Sequence, residues 1–137
     1  RAAKCVSMRE APVKLDNAVQ HVAVLLRGDA FRNTYLQHSG STCCEGSQFS
    51  QLRVALAHAN GLFKPLEQLQ LEVDVFIASY HCTNGKNWSS ALLPLWYSRR
   101  LVAIDLLHRD SPGSNQALTT LRALRMAASH EAEARVR

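Results

Sequence analysis

Residues 22–32 read VAVLLRGDAFR: the apolar run Val22 to Leu26 meets Arg27 and Gly28 directly, and Arg32 follows four residues after the glycine. A continuous β-branched and leucine run of strand length is the pattern of a strand buried on both faces, as in a parallel sheet. Glycine permits a sharp turn and close backbone approach. An arginine fork at such a turn holds phosphate bidentately. The stretch therefore predicts a buried strand that ends in a turn with two guanidinium groups at its mouth.

Outward from this strand, two further apolar runs fit the same role. Val73-Asp74-Val75-Phe76-Ile77-Ala78 and Leu101-Val102-Ala103-Ile104-Asp105-Leu106-Leu107 both have strand length. Between the first two runs, Leu52, Ala55, Leu56, Ala59, Leu62, Phe63, Leu66 and Leu69 recur at spacings of three and four. That period predicts an amphipathic helix over about 47–69, bent where Gly61 and Pro65 interrupt it. A short apolar segment over 89–97 predicts a second helix. A third, over about 114–128, carries Ala117, Leu118, Leu121 and Leu124, with Ser114 as its N-cap. The order strand, helix, strand, helix, strand, helix predicts an α/β fold: a three-layer, mostly parallel sheet of at least three strands with helices on both faces. Residues 1–20 read as an amino-terminal arm, 21–128 as the α/β domain and 129–137 as a charged tail that frays.

Such sheets take their ligands at the carboxyl ends of the strands. The loops over 27–47, 79–88 and 108–116 all leave from those ends, and the polar stretch 33–47 is long for a strand-to-helix connection. The ligand edge is thus the place to look for function.

Composition narrows the classes. The chain has 137 residues and a formal net charge of +5, with basic residues scattered apart from the adjacent Arg99 and Arg100. Nucleic-acid binders concentrate such charge on one face, often with interleaved aromatics, and no such stripe is present. No apolar run reaches the roughly 18 residues that a membrane helix needs. Neither G-x-G-x-x-G nor G-x-x-x-x-G-K-[ST] occurs, which argues against a dinucleotide fingerprint or a P-loop. G-x-S-x-G is absent too, so a nucleophile elbow has no support.

The four cysteines are Cys5, Cys43, Cys44 and Cys82. Adjacent Cys43-Cys44 and adjacent His81-Cys82 do not follow zinc-ligand spacing, so no metal site is expected. A disulfide between Cys82 and either Cys43 or Cys44 is open, because both loops should meet at the same sheet edge; reduced thiols are the alternative. Asn87-Trp88-Ser89 is a glycosylation sequon of a kind that arises by chance. Ser114, Asn115 and Gln116 form either a helix cap with polar first-turn residues or a helix amino terminus that receives an anion.

Taken together, "VAVLLRGDAFR", "PLEQLQLEVDVFIASYHCT" and "RRLVAIDLLHRDSPGSNQALTTLRAL" resemble, in order and spacing, a loosely defined set of glycosyltransferase-like proteins of algae and protists. The resemblance covers about residues 21–125. In that set a first strand ends in R/S-G-x-x-R, a helix ending in P-L-E leads to a D-V-F strand, and S-x-Q opens a helix after the third strand. The resemblance implies a Rossmann-like domain of the GT-A type that holds a nucleotide-sugar donor at its carboxyl edge. Arg27, Gly28 and Arg32 match the first motif, Asp74 the second, and Ser114, Asn115 and Gln116 the third; Tyr80 joins them as a donor-site candidate at the end of the second strand. It also implies hexosyl transfer to an acceptor that the sequence does not identify, in the secretory pathway or Golgi.

One departure matters. Such transferases carry an acidic metal-binding motif on a further strand, and Asp105 and Asp110 are not arranged as one. The chain then reads as the front part of a larger transferase with an incomplete sheet, using manganese only if a downstream segment supplies ligands, or as a reduced domain without a catalytic metal. The alternative function is a non-catalytic α/β binding or interaction domain.

Overall fold

The structure, a computed structural model, describes residues 19–28, 30, 47–82, 87–108 and 116–135. Its strands are β1 (Gln20–Arg27), β2 (Leu71–Tyr80) and β3 (Leu101–Leu107). Helices α1 (Ser47–His58), α2 (Lys64–Gln68) and α3 (Trp88–Tyr97) lie between strands, and α4 (Gln116–Ala134) follows the third. The strands form one parallel sheet in the order β1-β2-β3. The fold is a Rossmann-like α/β arrangement with helices on both faces of the sheet.

Alternation along β2 sorts the two faces. Val73, Val75 and Ile77 share a buried cluster with Ala55 of α1, Phe63, and Leu93 and Tyr97 of α3. Phe76, one residue out of phase, instead meets the His130 ring of α4 at 5.7 Å. The helices between strands thus cover one face and α4 the other. Each fully buried side chain of valine-to-phenylalanine size contributes about 1.5–3 kcal/mol, so β2 is the energetic centre of the sheet.

The expectation for β1 needs a correction. Its run over 22–26 reads as buried on both faces, yet none of the residues of β1 is fully buried, whereas Val75 to Tyr80 of β2 all are. Position explains the difference: among the described residues β1 pairs only with β2, so it is an edge strand, and β2 lies between two neighbours. Apolar density marked a parallel strand and did not rank the strands by burial.

The bend expected near Gly61 and Pro65 takes a specific form. Between α1 and α2 the chain makes a π-helical turn, Ala59–Phe63, closed by the Lys64 N–H donating to Ala59 O. Pro65 has no N–H and its ring would crowd the carbonyl four residues earlier in an α-ladder. The wider turn relieves that conflict, and it selects which neighbour enters the core: Phe63 is 1% exposed and Leu62 38%.

Within α2, Glu67 accepts two hydrogen bonds from Arg100, Nε at 2.7 Å and Nη2 at 2.8 Å, and one from Arg99 Nη2 at 3.3 Å. The one adjacent basic pair in the sequence thus ties α2 to the turn entering β3. The Arg100 hydrogen bonds hold the Glu67 carboxyl below the usual carboxylate range, and the Arg100 guanidinium also lies 5.4 Å from the Phe63 ring centre.

Helix α4 extends beyond its expected end near 128 and runs to Ala134, into the stretch read as a fraying tail. Good helix formers there and the contact between His130 and Phe76 keep the helix on the sheet. Arg122 Nη1 reaches Asp105 Oδ2 at 3.5 Å from the same face. Among the described residues no helix is long and apolar enough to cross a membrane.

Candidate functional site

The carboxyl ends of β1 and β2 open into a cavity of about 690 Å³, within the range of about 300–1,000 Å³ typical of small-molecule sites. Its floor is the strand ends, Leu25 to Gly28 and Ile77 to Tyr80. One wall comes from α1 and α3, through Gln51, Val54, His58, Leu93 and Tyr97. The opposite wall is the first turn of α4, through Gln116 and Thr119. Helices from both faces of the sheet therefore meet over its carboxyl edge.

The β1 exit is shaped by Gly28. Its φ of 114° lies where side-chain-bearing residues are strained. A Cβ there would meet nothing within 4 Å, so the demand for glycine is conformational rather than steric. The Gly28 N–H donates to Ala78 O at 3.1 Å, carrying the β1-β2 ladder one step further. Beyond it the Ala30 N–H donates to Ser79 Oγ at 3.2 Å. These bonds fix the backbone beside Arg27.

Arg27 is exposed on β1 and lines the cavity. Among the described lining residues it is the only one with a formal charge at neutral pH, and no described residue forms an ion pair with it. The positive end of the α4 helix dipole stands across the cavity. Thr119, fully buried, turns its hydroxyl back onto Gln116 O at 3.0 Å, and Thr120 does so at 2.8 Å. The local field at the mouth therefore favours a negative group.

On the other wall, His58 and Tyr97 close α1 and α3. His58 Nδ1 lies 2.9 Å from Tyr97 Oη. Phe63 backs both rings, at 6.1 Å from each, edge-on to Tyr97 and tilted to His58. Burial pushes the Tyr97 phenol up to about 12 and lowers His58 from its ordinary value. At neutral pH this wall is therefore polar and uncharged.

The structure brings together four of the residues singled out from sequence: Arg27, Gly28, Tyr80 and Gln116 all line the cavity. Arg32, Ser114, Asn115, Cys43 and Cys44 lie outside the described residues. Cys82 is disulfide-bonded, and the other three cysteines are outside the described residues. Cys82 Sγ also sits 3.7 Å from Ser89 Oγ, whose proton goes to Tyr80 O at 3.0 Å. The sequon serine is thus a buried link between α3 and the end of β2. His81 and His108, just past β2 and β3, stack at 4.8 Å.

Asp74, which the D-V-F resemblance singles out, is away from this edge. It pairs in register with Ala23 and accepts from His21 Nδ1 at 2.8 Å, with His130 Nε2 at 3.9 Å. His58, Tyr97, Gln51, Ser79 and Thr119 were not foreseen. His58 and Tyr97 are 39 residues apart, and no motif spacing links them. Among the described residues the cavity carries no carboxylate, and no cluster of three metal-ligating side chains is present; these residues do not fit a divalent cation. Comparison of the chain with protein-family models, curated proteins and solved structures returns no match.

Proposed function

We propose that this domain binds an anionic ligand at the carboxyl edge of its sheet, and that the ligand is the diphosphate of a nucleotide sugar, in a glycosyltransferase-like role. The observation that carries the reading is the charge of the cavity: Arg27, with no ion-pair partner among the described residues, is the one formal charge in the described lining. A guanidinium at the end of a parallel strand, opposite a helix amino terminus, suits a phosphate better than a neutral or cationic group. Arg27 would position the diphosphate and offset its charge as it departs. The nucleotide sugar itself is supported by the resemblance of residues 21–125, not by the geometry.

A binding role without turnover is the second reading. It is favoured by the lining, which among the described residues offers Arg27 and Gln116 to hold a ligand and no carboxylate to deprotonate an acceptor.

Calorimetric titration with UDP, GDP, CMP and their sugar conjugates, with and without manganese, tests the proposal. Arg27→Ala should weaken a bound diphosphate by roughly tenfold to a hundredfold, the worth of hydrogen bonds to a charged group. Affinity unchanged in that variant, with the fold intact, would refute the anion site.

A further inference from the structure

The hydrogen bond between His58 and Tyr97 has a direction that the surroundings decide. Tyr97 is 2% exposed, and His58 Nδ1 is its hydroxyl's partner. If His58 carried its proton on Nδ1 and donated to the phenol, the Tyr97 hydrogen would be left without an acceptor among the described residues. An unmade hydrogen bond there is far more unfavourable than the modest gain of a made one. The phenol therefore donates, Nδ1 accepts, and the imidazole proton resides on Nε2.

Nε2 is the atom left for a ligand. No described residue bonds it, and it is not sealed in: among the described residues the one buried side-chain polar atom without a partner is Gln48 Oε1. His58 lines the same cavity as Arg27, but on the α1 and α3 wall rather than at the end of β1. The cavity thus has two chemically different places, a guanidinium at its mouth and a neutral N–H donor on its wall.

We propose that His58, oriented by Tyr97, is a specificity-determining residue whose Nε2–H donates to a neutral oxygen, a hydroxyl or carbonyl, on the uncharged part of a ligand whose anionic end lies at Arg27. This rests on the anion-binding reading of the cavity. The class of ligand follows: a phosphorylated molecule carrying a polar, uncharged moiety, held better than a bare phosphate. Tyr97 is a positioning residue, since it acts through the His58 tautomer. Phe63, against both rings, keeps that orientation.

The experiment has two arms on the 137-residue chain. Long-range nitrogen-proton NMR of the ligand-free protein reads the His58 tautomer; Nε2–H is expected, and Nδ1–H would overturn the proposal whatever the ligand. Calorimetric titration then compares UDP-glucose with inorganic pyrophosphate. His58→Phe should weaken UDP-glucose by roughly three- to tenfold, the worth of one neutral hydrogen bond, and leave pyrophosphate unchanged. His58→Gln, which restores an N–H donor near that place, should recover most of the loss, whereas Arg27→Ala should weaken both probes. If His58→Phe leaves both affinities unaltered while Arg27→Ala removes them, the His58 role falls and the anion site stands. If the wild-type chain binds neither probe, both fall. Should His58→Phe fail to fold, Tyr97→Phe keeps the imidazole. It should give a mixed tautomer and a smaller UDP-glucose advantage, and an unchanged pure Nε2–H signal would count against the mechanism.

Discussion

The π-helical turn makes a quantitative claim about two neighbouring residues. In an unbroken α-helix at 100° per residue, Leu62 would lie about 20° from Ala55 around the axis and Phe63 about 80° away. Leu62 would then be the core residue. The extra residue in the turn rotates the chain back, and Phe63 takes the inner position at 1% exposure while Leu62 is left at 38%. Phe63 packs against His58 and Tyr97 and beneath Arg100, so Phe63→Ala removes a fully enclosed ring from a site walled by three elements. Large-to-small changes of this kind lower stability by about 3–5 kcal/mol, whereas Leu62→Ala should stay below about 1 kcal/mol. For 137 residues the unfolding entropy is about 0.3 kcal/mol per kelvin, which translates Phe63→Ala into a fall in Tm of roughly 10–17 °C. Urea unfolding followed by tryptophan fluorescence is suited to the measurement, since Trp88 and Trp96 both pack against this core. Equal losses for the two variants, or a larger loss for Leu62→Ala, would mean that the helix keeps its α-register and that the wall carrying His58 is wrongly placed.

Three further outcomes are expected. Gly28→Ala should lower stability by about 1–3 kcal/mol through backbone strain alone, because the φ of 114° is unfavourable for alanine while the space is open; a thermal melt with no change would contradict this. Gln70 sits at φ 63° just past Leu69, the C-cap of α2, so Gln70→Gly should raise stability by about 0.5–1 kcal/mol, the relieved strain less the added freedom of the unfolded chain, as read by chemical denaturation. Glu67 is held below its ordinary range by Arg100, so its ionised form binds better in the folded state. That contribution is fully present above the ordinary value of 4.5 and fades as pH falls through the lowered folded value. Wild type should therefore exceed Glu67→Gln in stability at pH 7, with the gap closing below about pH 4; a gap independent of pH would refute the pairing.

Much of the fold was legible because parallel α/β units announce themselves in local period. The run over 101–107 and the helix opening near 47 carry enough pattern to set their positions, and β3 spans Leu101–Leu107 as read. What period does not carry is neighbourhood. Nothing in VAVLL says that it lies at an edge, and Asp74 within β2 does not show from sequence that its partners are His21 and His130, which come from two other elements. The site divides in the same way. Arg27 and Gly28 were visible because one chain segment holds both the strand end and the turn. His58 and Tyr97 were not, because the signal is a meeting of two helix ends, and the π-helical turn that adjusts one of them follows from Pro65 acting on a ladder several residues earlier.

The place of the cavity follows from the path of the chain. The exit of β1 leads to α1 on one face, while the exit of β3 leads to α4 on the other, and α4 packs more against β1 and β2 than against β3. A helix that leaned over β3 would leave the ends of β1 and β2 with a wall on one side only. Because α4 turns back beneath the first two strands, its amino-terminal turn faces α1 and α3 across their carboxyl ends, and a crevice opens where the two exits part to opposite faces. Arg27 ends the edge strand at that parting, where its long side chain can remain hydrated when the cavity is empty. A fully buried guanidinium would need a built-in carboxylate to offset its desolvation. The half-covered position of β1 is therefore what allows a charge at the mouth with no counter-ion among the described residues.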